Sequence, residues 1–337
     1  MKASVIIPTK NAGAILHKVL PRVLSQQTDW PFEVIVIDSG SSDGTVDYVR
    51  SLPDVTLIQI SPSEFGHGRT RNLAISRASG EFCALLTHDA LPENDRWLAN
   101  LVAPLEEDPE IAGVFGRHIA YAEHGAYMTR DLERHFRGFD DLPRVVSRAM
   151  DPERYESDRG WRQILHFYSD NNSCLRRSVW ETIPYPDVEF AEDQIWADTI
   201  IRAGLKKAYA KDAAVYHSHD YDAFDQFRRA FDESLSFLVL FGYRLGFRSL
   251  RKAIAACYRM AKRDWIWGRQ NGVPVRERLH RMAQDVALVA EMAAGAPVAR
   301  QASLPSAIAL KLRPPAEAGN SRRRQRRAAR SVSGPSR

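Results

Sequence analysis

Cysteine is scarce in this 337-residue sequence, with three in all, at positions 83, 174 and 257. They are far apart and lack the close pairing of a metal knuckle, so they read as reduced thiols of a cytoplasmic protein rather than a disulfide framework. Long apolar runs are also missing. No stretch approaches the about 20 residues needed to span a bilayer. The opening Val5-Ile6-Ile7 run is cut short by Pro8 and Lys10, too soon for a secretory signal. There is no internal repeat. Outside the tail, an excess of positive charge is absent too. The formal net charge is +5, but Ser321–Arg330 holds six arginines and no acid. Without the tail and Arg337 the chain is near neutral, about −2. A basic stripe along a folded domain is therefore excluded, and nucleic acid is not the favoured partner.

What is present is an alternation. Val5-Ile6-Ile7-Pro8-Thr9 and Glu33-Val34-Ile35-Val36-Ile37-Asp38 are short β-branched runs that stop at polar, Gly or Pro punctuation. Further strands are expected near 55–60 and 81–86, with helical patterns between them. Pro21 should kink or split the first helix. The pattern is that of an α/β protein whose parallel sheet binds ligands beyond the carboxyl ends of its strands. The half 1–116 is regular. The stretch 117–160 reads as a partly helical excursion that covers the site, and order returns at Asn171–Arg176. A helix from Glu192 to Ala203 and a strand from Lys207 to Tyr216 close the 117–220 half. Residues 221–295 read as a helical extension with a core-facing stripe of Phe224, Phe227, Phe231, Leu235 and Leu238. Residues 296–337 read as a disordered arginine-rich tail.

Four clusters fall at strand ends. The first contains Pro8, Thr9, Asp38, Ser41 and Asp43; its Asp-Ser-Gly-Ser-Ser-Asp-Gly run equally suits plain turn chemistry. The second is Phe65-Gly66-His67-Gly68-Arg69-Thr70-Arg71-Asn72, where glycines and a helix start suit a diphosphate, or simply a turn with solvated arginines. The third, Thr87-His88-Asp89, places a carboxylate where a hard cation or a helix cap would have one. The fourth joins Glu192-Asp193 to His217 and His219. The adjacent acids serve either a helix dipole or general-base chemistry. The two histidines share one side of a strand, facing a metal together or neither doing so.

Together and in this order, the clusters resemble the family 2 inverting glycosyltransferases with the nucleotide-diphospho-sugar transferase (GT-A) fold. The matching residues are Val-Ile-Ile-Pro-Thr, Val-Ile-Asp-Ser-Gly-Ser-Ser-Asp-Gly-Thr, the Arg71-Asn72 pair, Thr-His-Asp and Glu-Asp-Gln, over about residues 3–220. Within the family, Phe65-Gly66-His67-Gly68 with Thr70-Arg71-Asn72 looks most like bacterial rhamnosyltransferases, which use dTDP-L-rhamnose to build cell-surface polysaccharide. The resemblance implies roles. Asp38 would accept from a pyrimidine N–H, with Thr9 and Asp43 near base and ribose and Arg71 near the diphosphate. Asp89 would hold Mg²⁺ or Mn²⁺. Thr87 stands where the metal motif usually has a second acid, which raises the value of His217 or His219 as a further ligand. Asp193, with Glu192 beside it, would be the general base. The acceptor would be a saccharide or lipid-linked hydroxyl, and the arginine tail could hold the enzyme at the inner face of a membrane. The reading requires Asp38, Asp89 and Asp193 to meet at one cleft. Two other readings compete. A nucleotidyltransferase should carry a Gly-rich basic signature directly after the first strand, where Pro8-Thr9-Lys10-Asn11 stands instead. A non-catalytic membrane or nucleic-acid binder would rest on the tail alone.

Overall fold

A computed structural model describes residues 1–188, 190–219, 241–242 and 249–301. The aromatic stripe expected over 224–238 and the arginine tail lie outside the described residues.

The β-branched runs form the strands their composition favours. β1 (Ala3–Thr9), β2 (Phe32–Asp38), β3 (Val55–Gln59) and β4 (Phe82–Leu86) are parallel, in the order β3-β2-β1-β4. The helices between them are α1 (Gly13–Leu24), α2 (Thr45–Arg50) and α3 (His67–Arg77). Period-two alternation sends Val5, Ile7, Val34, Val36 and Leu86 into one core, against α1 and α4 (Trp97–Glu107). Ile6, Ile35, Ile37 and Leu85 enter the other core, with α3 and α9 (Glu192–Arg202). Pro21 does not split α1, which runs through it to Leu24. Its ring is exposed there.

Beyond β4 the sheet becomes mixed. It continues β8-β6-β9-β5, and β7 also pairs with β9. These strands are β5 (Leu91–Pro92), β6 (Ile111–Ile119), β7 (Val145–Val146), β8 (Asn172–Arg176) and β9 (Lys206–Tyr216). The segment between β6 and β8 is largely helical: α5 (Gly125–Asp140), α6 (Pro152–Ser157) and α7 (Arg159–His166). After α8 (Arg177–Trp180) and α9, the C-terminal described part is two helices, α10 (Leu250–Gln270) and α11 (Val275–Gln301). Asp264 fixes α10 in place. Its fully buried carboxylate accepts from Arg130 of α5 at 3.0 and 3.1 Å, from Arg263 at 2.7 Å and from Arg281 of α11 at 2.9 Å.

Register decides where polar residues emerge. Thr9 pairs with Asp38 and Ile6 with Leu85, so the ends of β1, β2 and β4 are level. β8 runs antiparallel to β4 with Leu86 opposite Asn172, which brings Ser169–Asn171 to the same rim. Ile119 pairs with Tyr216, and Tyr216 with Leu91 in an antiparallel bridge. The residues before Leu91 and after Tyr216 therefore leave side by side.

Candidate active site

At this rim lies a cleft of about 610 Å³, walled by the ends of β1 and β4, the start of α3, residues 167–171, the start of α9 and the exit of β9. Pro8, Thr9, His67, Arg71, Thr87, His88, Asp89, Glu192, Asp193, His217 and His219 all line it. Segments spread over more than 200 residues are thus drawn to one opening.

The exit of β9 carries the densest set of metal-type ligands. His217 Nε2 lies 3.6 Å from one Asp89 oxygen and His219 Nε2 lies 3.5 Å from the other. One ligand atom from each residue falls within 4.8 Å of the other two. Burial pushes the Asp89 carboxyl up, but attraction to His217, His88 and His219 outweighs it and holds the group below its ordinary value. Behind them, Ser218 Oγ accepts from the Tyr121 N–H at 3.0 Å and sits 2.6 Å from His124 Nδ1. The Tyr121 hydroxyl donates to the Asp89 carbonyl at 2.9 Å.

The same cleft holds an acidic group with one cation. Arg71 is buried and bonds Glu192 Oε1 at 2.7 Å, with its Nε 3.3 Å from Asp170 Oδ2. Asp193 is half-buried and accepts backbone N–H bonds from Asp170 at 3.2 Å and Gln194 at 2.8 Å. Enclosure pushes its carboxyl well up, and Glu192 and Asp170 add to this against the opposing pull of Arg71. Asp170 is raised to about 6 by burial, in spite of Arg71 beside it. α9 starts from Ala191, a residue in the left-handed region at φ 60°, where a side chain costs about 1–2 kcal/mol. That turn brings Glu192 to Arg71 and leaves Asp193 on the cleft.

Residues 4–183 match the sequence profile of glycosyl transferase family 2. The chain belongs to that family. It is 36% identical over 236 residues to the O-antigen chain rhamnosyltransferase RfbN of Salmonella typhimurium, covering 69% of this chain and 71% of that protein. It is 34% identical over 232 residues to the O-antigen chain rhamnosyltransferase WbaN of Salmonella anatum, covering 68% and 70%. Among solved structures it resembles the mannosyltransferase PcManGT from Pyrobaculum calidifontis, in complex with GDP-Man and Mn²⁺, with a TM-score of 0.53 at 21% identity, covering 92% of this chain and 78% of that one. Staphylococcus aureus TarS 1-349 in complex with UDP-GlcNAc gives a TM-score of 0.51 at 18% identity, covering 89% and 92%. The fold is GT-A, and the protein is a glycosyltransferase.

In this family 2 enzyme several expected donor-site residues stand outside the cleft lining. Asp38 is fully buried. Its carboxylate accepts from Thr9 Oγ1 at 3.2 Å, from the N–H groups of Gly40 and Ser41 at 3.0 and 2.9 Å, and from Ser41 Oγ. Of the three aspartates expected to meet, Asp89 and Asp193 share the cleft, while Asp38 shapes the loop behind Thr9 and Ser39. Ser41 also accepts from the Asn11 N–H at 2.7 Å. Asp43 is exposed; it accepts from Thr45 Oγ1 at 2.6 Å and from the Gly13 N–H at 2.9 Å, tying α1 to α2. Gly68 is explained by packing, since a Cβ there would lie 2.2 Å from the Pro186 carbonyl oxygen. Residues 117–160 do not cover the cleft: none of them lines it, and the covering positions go to 167–171 and 190–194. The residue that sequence reasoning missed is Asp170. Its one signal is a polar Ser-Asp-Asn-Asn run leading into a short strand.

Proposed function

We propose that this glycosyltransferase moves a sugar, L-rhamnose from dTDP-L-rhamnose, to a hydroxyl of a saccharide or lipid-linked acceptor in cell-surface polysaccharide synthesis, inverting the anomeric centre. The observation that carries the reading is the meeting, in the lining of one cleft, of the Asp89–His217–His219 cluster and Asp193. The likeness to the two O-antigen rhamnosyltransferases supports the choice of sugar.

Asp193 is the general base. Its half-buried side chain lines the cleft, and its raised affinity for protons suits it to take one from an acceptor hydroxyl. Glu192 is paired with Arg71 and positions the start of α9. Arg71 therefore acts on the acid cluster and balances part of its charge, in addition to facing the diphosphate side of the cleft. Thr9 and Ser39, held from behind by Asp38, form the nucleoside wall.

The chemistry of the donor set fits a divalent cation. One carboxylate and two imidazoles form a mixed O/N set, which favours Mn²⁺ over Mg²⁺, an ion that prefers oxygen ligands. Asp89, His217 and His219 would hold it, and when bound it would offset charge developing on the departing diphosphate. The test is Asp193→Asn, assayed for transfer and for donor binding with and without Mn²⁺. Transfer should fall by about 10²–10⁴-fold while dTDP-rhamnose still binds, more tightly with Mn²⁺. Transfer at the parent rate would dismiss Asp193 as the base.

A further inference from the structure

Large apolar side chains left exposed are concentrated at the C-terminal end of the described chain. Four of the ten such residues among the described residues, Leu250, Ile254, Tyr258 and Ile266, belong to α10, and three more belong to α11. Leu250, Ile254 and Tyr258 follow one another at a spacing of four and are 71%, 61% and 65% exposed. They form one stripe. The adjoining face of α10 is packed, with Ala253, Ala256, Ala261, Asp264 and Gly268 buried.

The charge beside the stripe has one sign. Arg251, Lys252, Arg259, Lys262 and Arg263 are exposed on the same helix. Its only acid, Asp264, is fully buried and paired with arginines. Lys262 lies 5.9 Å over the Tyr258 ring, so cation and aromatic group are adjacent. Among the described residues no helix is long and apolar enough to cross a membrane. A helix with an exposed apolar stripe flanked by cations alone suits the boundary between anionic headgroups and acyl chains. A second protein surface would more commonly be met by mixed charge at the rim.

We propose that the exposed face of α10 docks on an anionic lipid bilayer, with Ile254 and Tyr258 entering the acyl boundary and the neighbouring lysines and arginines contacting headgroups. The proposal stands independently of which sugar the enzyme transfers. The test is sedimentation of the full chain with vesicles of phosphatidylcholine alone, or of phosphatidylcholine and phosphatidylglycerol in equal parts. The parent should bind only the anionic vesicles, and less as salt is raised. Ile254→Ser combined with Tyr258→Ser should weaken that binding at least about tenfold with an unchanged unfolding midpoint. A full-length chain with the six arginines of residues 321–330 replaced by glutamine should keep the same dependence on Ile254 and Tyr258. Equal binding by the serine variant, or binding lost with the tail arginines alone, overturns the proposal. So does a vesicle-free dimer that the serine substitutions dissociate, since the face would then belong to a second copy.

Discussion

Two buried ionic clusters in this molecule use the same residue types to opposite effect. In the cleft, three carboxyls, Asp170, Glu192 and Asp193, surround one arginine, Arg71. At the C-terminal helices, three arginines, Arg130, Arg263 and Arg281, converge on Asp264. Desolvation disfavours a charged carboxyl in both places. With one cation for three acids, it wins: Asp170 is raised to about 6 and Asp193 is pushed well up. Three hydrogen-bonded guanidinium groups reverse the outcome for Asp264, which is held far below the ordinary carboxylate range, whereas buried Asp285, 3.3 Å from Arg281, is raised to about 6. Counting partners thus separates a cluster suited to moving protons from one suited to holding helices.

Breaking the helix anchor should have the largest effect on stability. Asp264→Ala removes the acceptor that Arg130, Arg263 and Arg281 share and leaves Arg130 and Arg281 with Asp131, and Arg281 with Asp285 at 3.3 Å, as counter-charges. A loss of about 3–5 kcal/mol is expected, read as a fall in the urea midpoint. A variant as stable as the parent would show that α10 is held by packing alone.

The two clusters should also bend stability with pH in opposite directions. Asp264 has a depressed folded pKa, so its contribution is complete above the unfolded value of about 3.9 and is lost as pH falls below it. Asp170 is raised on folding, so the native state holds the extra proton. Stability should then fall as pH rises from about 4 to about 6, by at most about 3 kcal/mol for this group. Asp170→Asn should lessen the slope in that window, to which Asp193 and Asp285 also contribute, and leave the acid limb in place. Urea midpoints across the range would check it, and an unchanged slope would count against the cluster as its source.

The smallest effect sharpens the contrast in backbone strain. Ala191 enters the cleft helix at φ 60°, whereas Ser249 enters α10 in an extended conformation and caps it through Lys252 N–H at 3.4 Å. Ala191→Gly should raise stability by less than about 1 kcal/mol, because relief of strain is partly offset by the freedom glycine gains in the unfolded chain. Destabilisation by that change would mean that the Ala191 methyl packs usefully in the cleft wall.

The first four strands were legible because each is a contiguous β-branched run between turn residues. Thr87-His88-Asp89 and Glu192-Asp193 were legible as cleft residues because acids beside strand or helix ends stand out in the chain. β5 and β7 were not, since two-residue bridges leave no periodicity. The Phe167–Asn171 wall was hidden for a related reason: its place at the cleft depends on β8 pairing antiparallel with β4, which local pattern does not encode.

The amino-acid order alone determined the alternating α/β half, the family resemblance and the proximity of His217 to His219, because local propensity and side-chain period act over a few residues. Only the tertiary structure decided that Asp38 turns inward while Asp89 meets the histidines, and that Glu192 takes Arg71 and leaves Asp193 facing the cleft. Those outcomes depend on which groups compete for a limited number of donors once distant segments are packed together, and that competition is settled by burial and distance in space.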